Sequence, residues 1–332
     1  MTPFPVTDST LSAPHLALFL QEKYGFDEGT TCRIFRTGIN HTYLVAAGGL
    51  RYVFRVYSYQ WRTETEIAEE LRLLNLLREN EVSVSYPIED KNQNYIQPIP
   101  APEGLRYGVL FSFAEGQKIR NLHENTCESI GTLMARMHQG TLNLNLKRVD
   151  YTVQELAVLP YQYAKKYYDE SLEEMQFVKK AGGYLATFFA QADTSQLRKG
   201  VVHLDLWYDN MNIVDDSDIT LFDFDFCGNG WLFLDVSYFV VQLFNTEPDK
   251  ERYTSKLNAF YRGYQAITPL TEEEKRLIPY AGLAIWLFYL GVQSRRFDNW
   301  SNIFLTENYL KHFIGLIIKW LDFNGADPNL WE

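Results

Sequence analysis

Between Thr63 and Asn80, apolar residues recur at Ile67, Leu71, Leu74 and Leu77. That spacing of three and four predicts one amphipathic helix. Upstream, the pattern breaks into short runs rich in β-branched and aromatic residues: Cys32 to Arg36, Thr42 to Ala46, and Tyr52 to Tyr57. These read as strands, with Gly48-Gly49 turning the chain between the last two. Pro14 to Tyr24 reads as a short helix with proline in its first turn. Two further strand signals, Tyr95 to Ile99 and Tyr107 to Phe113, follow the long helix. Strands, helix, strands in that order predict an antiparallel sheet with a helix against it.

At Ala114-Glu115-Gly116 the pattern turns helical. Helices are expected over Thr126 to His138, roughly Val153 to Asp169, roughly Leu172 to Ala192, and in three long stretches after Asp235. One strand-rich island, Val201 to Phe226, interrupts them. Its strands, Met211 to Val214 and Ile219 to Phe224, flank the acidic turn Asp215-Asp216-Ser217-Asp218, which lacks the residue order of a calcium loop. The expectation is an α+β chain of two lobes: residues 1–113 with the sheet and one main helix, and residues 114–332, mostly helical and carrying the island. A cleft between the lobes is expected, with Phe111 to Ala114 as its hinge.

Composition narrows the class. With 332 residues the chain exceeds one core of ordinary size, which supports two lobes. A net charge of −11 argues against binding a nucleic-acid backbone, which needs a basic face. The aromatic share of 15% is high and predicts large aromatic cores. The longest strongly apolar stretch, around Ala281 to Val292, is too short to span a bilayer and is closed by Arg295 and Arg296. Met1 to Pro5 lack the basic and apolar regions of a secretory signal. Cys32, Cys127 and Cys227 are far apart and odd in number, so neither a disulfide framework nor a metal spacing is indicated. No membrane attachment is expected, and a reducing, cytoplasmic setting fits best. Nothing in the pattern sets an oligomeric state.

Chemistry concentrates in His203-Leu204-Asp205-Leu206-Trp207-Tyr208-Asp209-Asn210 and in Asp223-Phe224-Asp225. These match the kinase catalytic-loop pattern H-R-D-L-x-x-x-N and its later D-F-G, except at Leu204 and Asp225. Phosphoryl transfer asks the protein mainly to position groups and neutralise charge. Asp205 is the expected base, orienting an acceptor hydroxyl and taking its proton late. Asn210 and Asp223 are expected magnesium ligands: one amide and one carboxylate leave room for phosphate and water. If the strand persists, alternation turns Asp225 to the face of Asp223, where it holds a second ion or a water. His203 is expected as a buried brace, and Asp235 as an N-cap that ties down the Asp205 loop. The turn from Thr37 to Thr42, with Gly38, Asn40 and Thr42, is a candidate phosphate cover. Arg55 points away from its neighbours Phe54 and Val56 and needs a partner. Glu66 and Glu70 share a helix face, so either could pair with it; Glu70 is preferred because Glu70-Leu71-x-Leu73-Leu74 resembles the kinase helix pattern.

Together these residues resemble the aminoglycoside phosphotransferase and choline kinase-like superfamily, small-molecule relatives of protein kinases. Tyr52 to Tyr57, Ile67 to Leu77, Gly131 to His138 and Gly230 to Phe239 extend the resemblance over most of the chain. Within that group, Tyr59-x-Trp61-Arg62 and Ser294-Arg295-Arg296-Phe297 resemble the branch with type II homoserine kinase, hydroxylysine kinase and the bacterial stress-response kinase. The resemblance implies a protein-kinase-like fold, ATP as donor and Mg2+ as cofactor. It also implies adenine at the hinge near Ser112 to Ala114 and a small-molecule hydroxyl acceptor. Three residues depart from the family pattern: Leu204 for Gly, Trp207 for His and Arg55 for Lys. Trp207, Trp286, Tyr289 and Arg296 are candidate acceptor-pocket walls. A Ser/Thr protein kinase and a non-catalytic nucleotide-binding module are the alternatives. The chain is read as running from Phe226 to Gly230 straight into a helix, with no activation segment, which favours a small acceptor. The acceptor's identity and the choice of ATP over GTP stay open.

Overall fold

The structure is a computed structural model, and it describes residues 4–299 and 302–326. Residues 1–3 of the N-terminal stretch read above for a secretory signal lie outside that range. The chain divides into two compact units, residues 1–115 with 220–222, and residues 116–219 with 223–332.

The first unit begins with α1 (Ala13–Tyr24), which ends at Gly25 in the left-handed conformation. Strands β1 (Thr31–Arg36), β2 (His41–Ala47) and β3 (Leu50–Val56) follow, then α2 (Glu64–Glu79), β4 (Ile96–Ala101) and β5 (Gly104–Ser112). They form one five-stranded sheet of order β1-β2-β3-β5-β4, antiparallel throughout. Leu16 and Leu20 of α1 bury against Tyr43, Val45, Phe54 and Val56 of the sheet. Helix α2 starts on a capping box, with Thr63 and Glu66 each accepting the other's backbone N–H. That use of Glu66 places it at the helix start, one turn from Glu70. Residues 220–222 join this unit because Leu221 exchanges backbone hydrogen bonds with Ser83 and Ser85.

The second unit holds α3 (Glu124–Thr141), α4 (Leu159–Ala164), α5 (Glu173–Ala190), β6 (Lys199–Val202), β7 (Met211–Ile213) and most of the hairpin to β8 (Ile219–Leu221). It continues with β9 (Gly228–Trp231), α6 (Phe233–Thr246), α7 (Lys250–Ile267), α8 (Glu272–Arg295) and α9 (Glu307–Phe323). Helices α3 and α7 approach backbone to backbone. A Cβ at Gly131 would collide with the Phe260 carbonyl, and one at Gly263 with the Glu128 carbonyl.

Four expectations are corrected. The helix expected from Val153 to Asp169 is a π-turn over Gln154–Val158 followed by the short α4, with Pro160 at its start. Proline lacks the N–H that a continuous helix would require there. The strand expected to reach Phe224 stops at Leu221, because Asp223 takes a left-handed conformation (φ 65°) and Phe224–Phe226 forms a 3-10 turn. Strand alternation therefore does not relate Asp225 to Asp223. The segment after Phe226 does not run straight into a helix: Gly228–Trp231 pairs antiparallel with β6. Its Gly-Asn-Gly sequence has little strand propensity, so the pairing comes from tertiary contact. Finally, the apolar run at Ala281 belongs to the 24-residue α8, which by length and composition could cross a membrane but is mostly buried within the protein. A core helix passes the same test.

Candidate active site

Strand β6 delivers the chain to His203, and the next residue, Leu204, adopts φ 61°. A left-handed conformation costs a branched side chain roughly 1–2 kcal/mol. Two things hold it. The Leu204 side chain is fully buried. Asp235 accepts the backbone N–H of Leu204 on Oδ1 (2.6 Å) and that of His203 on Oδ2 (2.9 Å). Asp235 thus braces the loop, but not as an N-cap. Leu232 caps α6, and Asp235 lies in its first turn with the carboxylate turned to the loop. His138 on α3 completes the brace: Nε2 lies 3.0 Å from Asp235 Oδ2, and Nδ1 lies 2.7 Å from the Tyr264 hydroxyl. His203 is buried, accepts the Asp205 N–H on Nδ1 (3.2 Å), and packs its ring 4.3 Å from that of Phe224.

Asp205 follows with both carboxylate oxygens engaged. Tyr238 donates its hydroxyl to Oδ1 at 2.6 Å. Asn210 donates Nδ2 to Oδ2 at 2.7 Å and to the Asp205 carbonyl at 3.0 Å. Desolvation pushes the Asp205 pKa up to about 7, the Asp223 charge adds to it, and the donors from Tyr238, Tyr289 and Asn210 oppose it. Asp223 is half-buried, while Asp225 is buried and gives its backbone carbonyl to Arg148 Nη2.

A divalent cation fits this donor set. Asn210 commits its amide nitrogen to Asp205, which leaves Oδ1 as the hard oxygen for an ion. The Asp205 and Asp223 charges repel one another, and a cation relieves that repulsion. Among the described residues no three His, Cys, Asp or Glu side chains form a preformed ion site. The fit is therefore to an ion that keeps water and phosphate ligands.

In the first unit, Arg55 Nη1 bonds Glu70 Oε1 at 2.8 Å, and Tyr57 donates its hydroxyl to Glu70 Oε2 at 3.0 Å. Glu70 is fully buried and Arg55 nearly so. Of the two candidate acids, Glu70 pairs with Arg55, while Glu66 closes the capping box. Thr42 stands opposite Arg55 in the β2–β3 register, so both side chains leave one face of the sheet. Gly38 sits in the turn before β2 with open space around its Cα, and Asn40 Oδ1 accepts the Ser58 N–H at 3.2 Å. At the expected hinge, the Ser112 N–H is bonded to the Tyr86 carbonyl, and the Ser112 carbonyl accepts the Ser85 hydroxyl. Both backbone groups of Ser112 are thus engaged within the protein.

The four pocket-wall candidates separate. Tyr289 donates its hydroxyl to the Leu204 carbonyl at 3.0 Å, one residue before Asp205. Trp207 begins the turn that carries Asn210. Trp286 lies one turn from Tyr289 on α8 but is buried against Phe313, whose carbonyl accepts its indole N–H (3.2 Å). Arg296 caps the C-terminus of α8. Sequence reasoning did not single out Tyr238, Tyr57, Arg148 or the Asp235 contact of His138. Only Tyr238 carried a signal, three residues after Asp235 and so on its helix face. A cavity of about 610 Å³ opens beside Lys199 and Trp231, and none of the expected site residues lines it.

Three comparisons frame this geometry. The profile described as Phosphotransferase enzyme family matches residues 31–270. A homoserine kinase of Methylobacillus glycogenes is 27% identical over 80% of this chain and 82% of its own length. Among solved structures, amicoumacin kinase in complex with AMP-PNP, Ca2+ and Ami is 19% identical with a TM-score of 0.76, covering 94% of each chain. A microcompartment-associated aminopropanol kinase is 18% identical with a TM-score of 0.76, covering 95% of this chain and 99% of its own. At that identity the structural likeness speaks for the fold: an antiparallel five-stranded unit followed by a mostly helical one, as in protein-kinase-like proteins.

Proposed function

The chain belongs to the phosphotransferase enzyme family, and we propose that it is an ATP- and Mg2+-dependent kinase that phosphorylates a hydroxyl of a small metabolite such as an amino alcohol or hydroxy amino acid. One observation carries this reading. Asp205 is gripped through both carboxylate oxygens, and one grip comes from the amide nitrogen of Asn210, which leaves the amide oxygen as the donor proposed for an ion. Base and cation ligand are thereby fixed to one another.

Asn210 and Asp223 would hold Mg2+, which supplies charge neutralisation for the triphosphate. Asp205 orients the acceptor hydroxyl and takes its proton as the new O–P bond forms and the bond from the γ-phosphorus to its bridging oxygen breaks, with ADP leaving. Its pKa of about 7 suits a group that accepts a proton near neutrality. Arg55, positioned by Glu70, offers a planar fork for phosphate oxygens. Gly38, Asn40 and Thr42 are the proposed phosphate cover, and the segment from Ser112 to Ala114 the proposed adenine edge.

The chain after Asp225 supports this acceptor class. A 3-10 turn and the paired strand β9 occupy it up to α6, which leaves no long activation segment to hold a polypeptide. The names of the relatives, homoserine kinase and aminopropanol kinase, point to the same class. An ATP-consumption screen over amino alcohols, hydroxy amino acids, sugars, aminoglycosides and a generic protein substrate tests it. Turnover with a small hydroxyl compound is expected. Turnover with protein alone, or with none of these, overturns the reading.

A further inference from the structure

We propose that Tyr238 is a positioning residue for this reaction: its hydroxyl fixes the carboxylate plane of Asp205. The inference rests on the reading of Asp205 as the base. The terminal torsion of an aspartate is broad, so a carboxylate held at one oxygen still swings. Asn210 holds Oδ2 from the loop's own end, and Tyr238 holds Oδ1 from α6. These two donors from separate elements, with the Tyr289 hydroxyl beside them, leave the plane one orientation.

Tyr238 is itself immobilised. It is buried, and its ring lies 5.5 Å from that of Tyr289. Tyr289 in turn donates to the Leu204 carbonyl and packs on Phe226 and Phe288. Asp235 and Tyr238 stand three residues apart on one face of α6. The first fixes the backbone at His203 and Leu204, and the second fixes the side chain of Asp205. Burial, and then the Asp205 charge, raise the Tyr238 pKa well above the ordinary phenol value, so the group stays an O–H donor.

The test compares Tyr238→Phe with a protein carrying fluorotyrosine at the same position, which keeps the O–H. The Phe variant is expected to lose about tenfold to a hundredfold in kcat, the scale of a misplaced catalytic group, with KM and nucleotide affinity little changed. Fluorotyrosine is expected to restore the rate. Equal rates for wild type and Phe variant, or equal losses for both substitutions, would show that the ring only fills space and overturn the proposal. A crystal structure of the Phe variant separates this failure from failure of the kinase reading. With no turnover on any acceptor, a rotated Asp205 carboxylate still supports the positioning role, and an unmoved one ends it.

Discussion

At Leu204 and Asp223, two non-glycine residues hold left-handed backbone angles on either side of the proposed reaction site. Aspartate tolerates that region. Leucine does so here because its side chain is wholly buried and its N–H and carbonyl are bonded to Asp235 and Tyr289. Leu204→Gly relieves roughly 1–2 kcal/mol of backbone cost. It also empties a buried site, and losing a core leucine side chain costs about 2–5 kcal/mol. The urea midpoint is therefore expected to fall, and a raised midpoint would show that strain outweighs packing. Asp205→Asn removes the proton acceptor while keeping the shape. Turnover is expected to drop by about 10²–10⁴, the usual contribution of a general base, while calorimetry still detects nucleotide binding. A variant that keeps its rate would dismiss Asp205 as the base.

Among the elements, α2 and β3 are joined by a buried ion pair. Glu70 has no exposure, so truncating it takes the carboxylate away from a nearly buried Arg55 guanidinium. Glu70→Ala is expected to destabilise by about 3–5 kcal/mol in urea melts. A loss of only a few tenths would mean that Arg55 escapes to solvent. Helices α3 and α7 depend on bare backbone at their crossing. Gly131→Ala forces a methyl against the Phe260 carbonyl, and overpacking of this kind costs typically about 1–3 kcal/mol. The gain in helix propensity from glycine to alanine, about 1 kcal/mol, opposes it. A lowered melting temperature is expected, since the obstructing atom is backbone and cannot rotate away.

For the whole chain, a net charge of −11 disfavours a free polyanionic nucleotide. A nucleotide carrying its own Mg2+ arrives with less charge and with an ion for the proposed ligands Asn210 and Asp223. MgATP at a hundredfold excess over its Kd is expected to stabilise the protein by about 2.7 kcal/mol, read as a rise in melting temperature. Chelating the metal is expected to remove most of that rise, and Asp223→Ala to do the same with the metal present. A rise unaffected by either would take Asp223 out of the ion site.

What the sequence determined is local and periodic. The strands around Tyr43 and Phe54, the helix carrying Leu71 and Leu74, and the motif residues Asp205, Asn210 and Asp223 follow from alternation, helical spacing and short-range order. Tertiary structure decided what local pattern does not encode. Strand β9 exists because β6 lies beside it, not because Gly-Asn-Gly favours extension. The strand through Leu221 ends at Asp223 because the backbone turns left-handed there. Glu70 is already the preferred partner of Arg55 in the sequence, and the fold adds the burial of that pair. Tyr238 meets Asp205 across 33 residues only when α6 packs beside the loop, and a contact of that kind has no period in the sequence that could announce it.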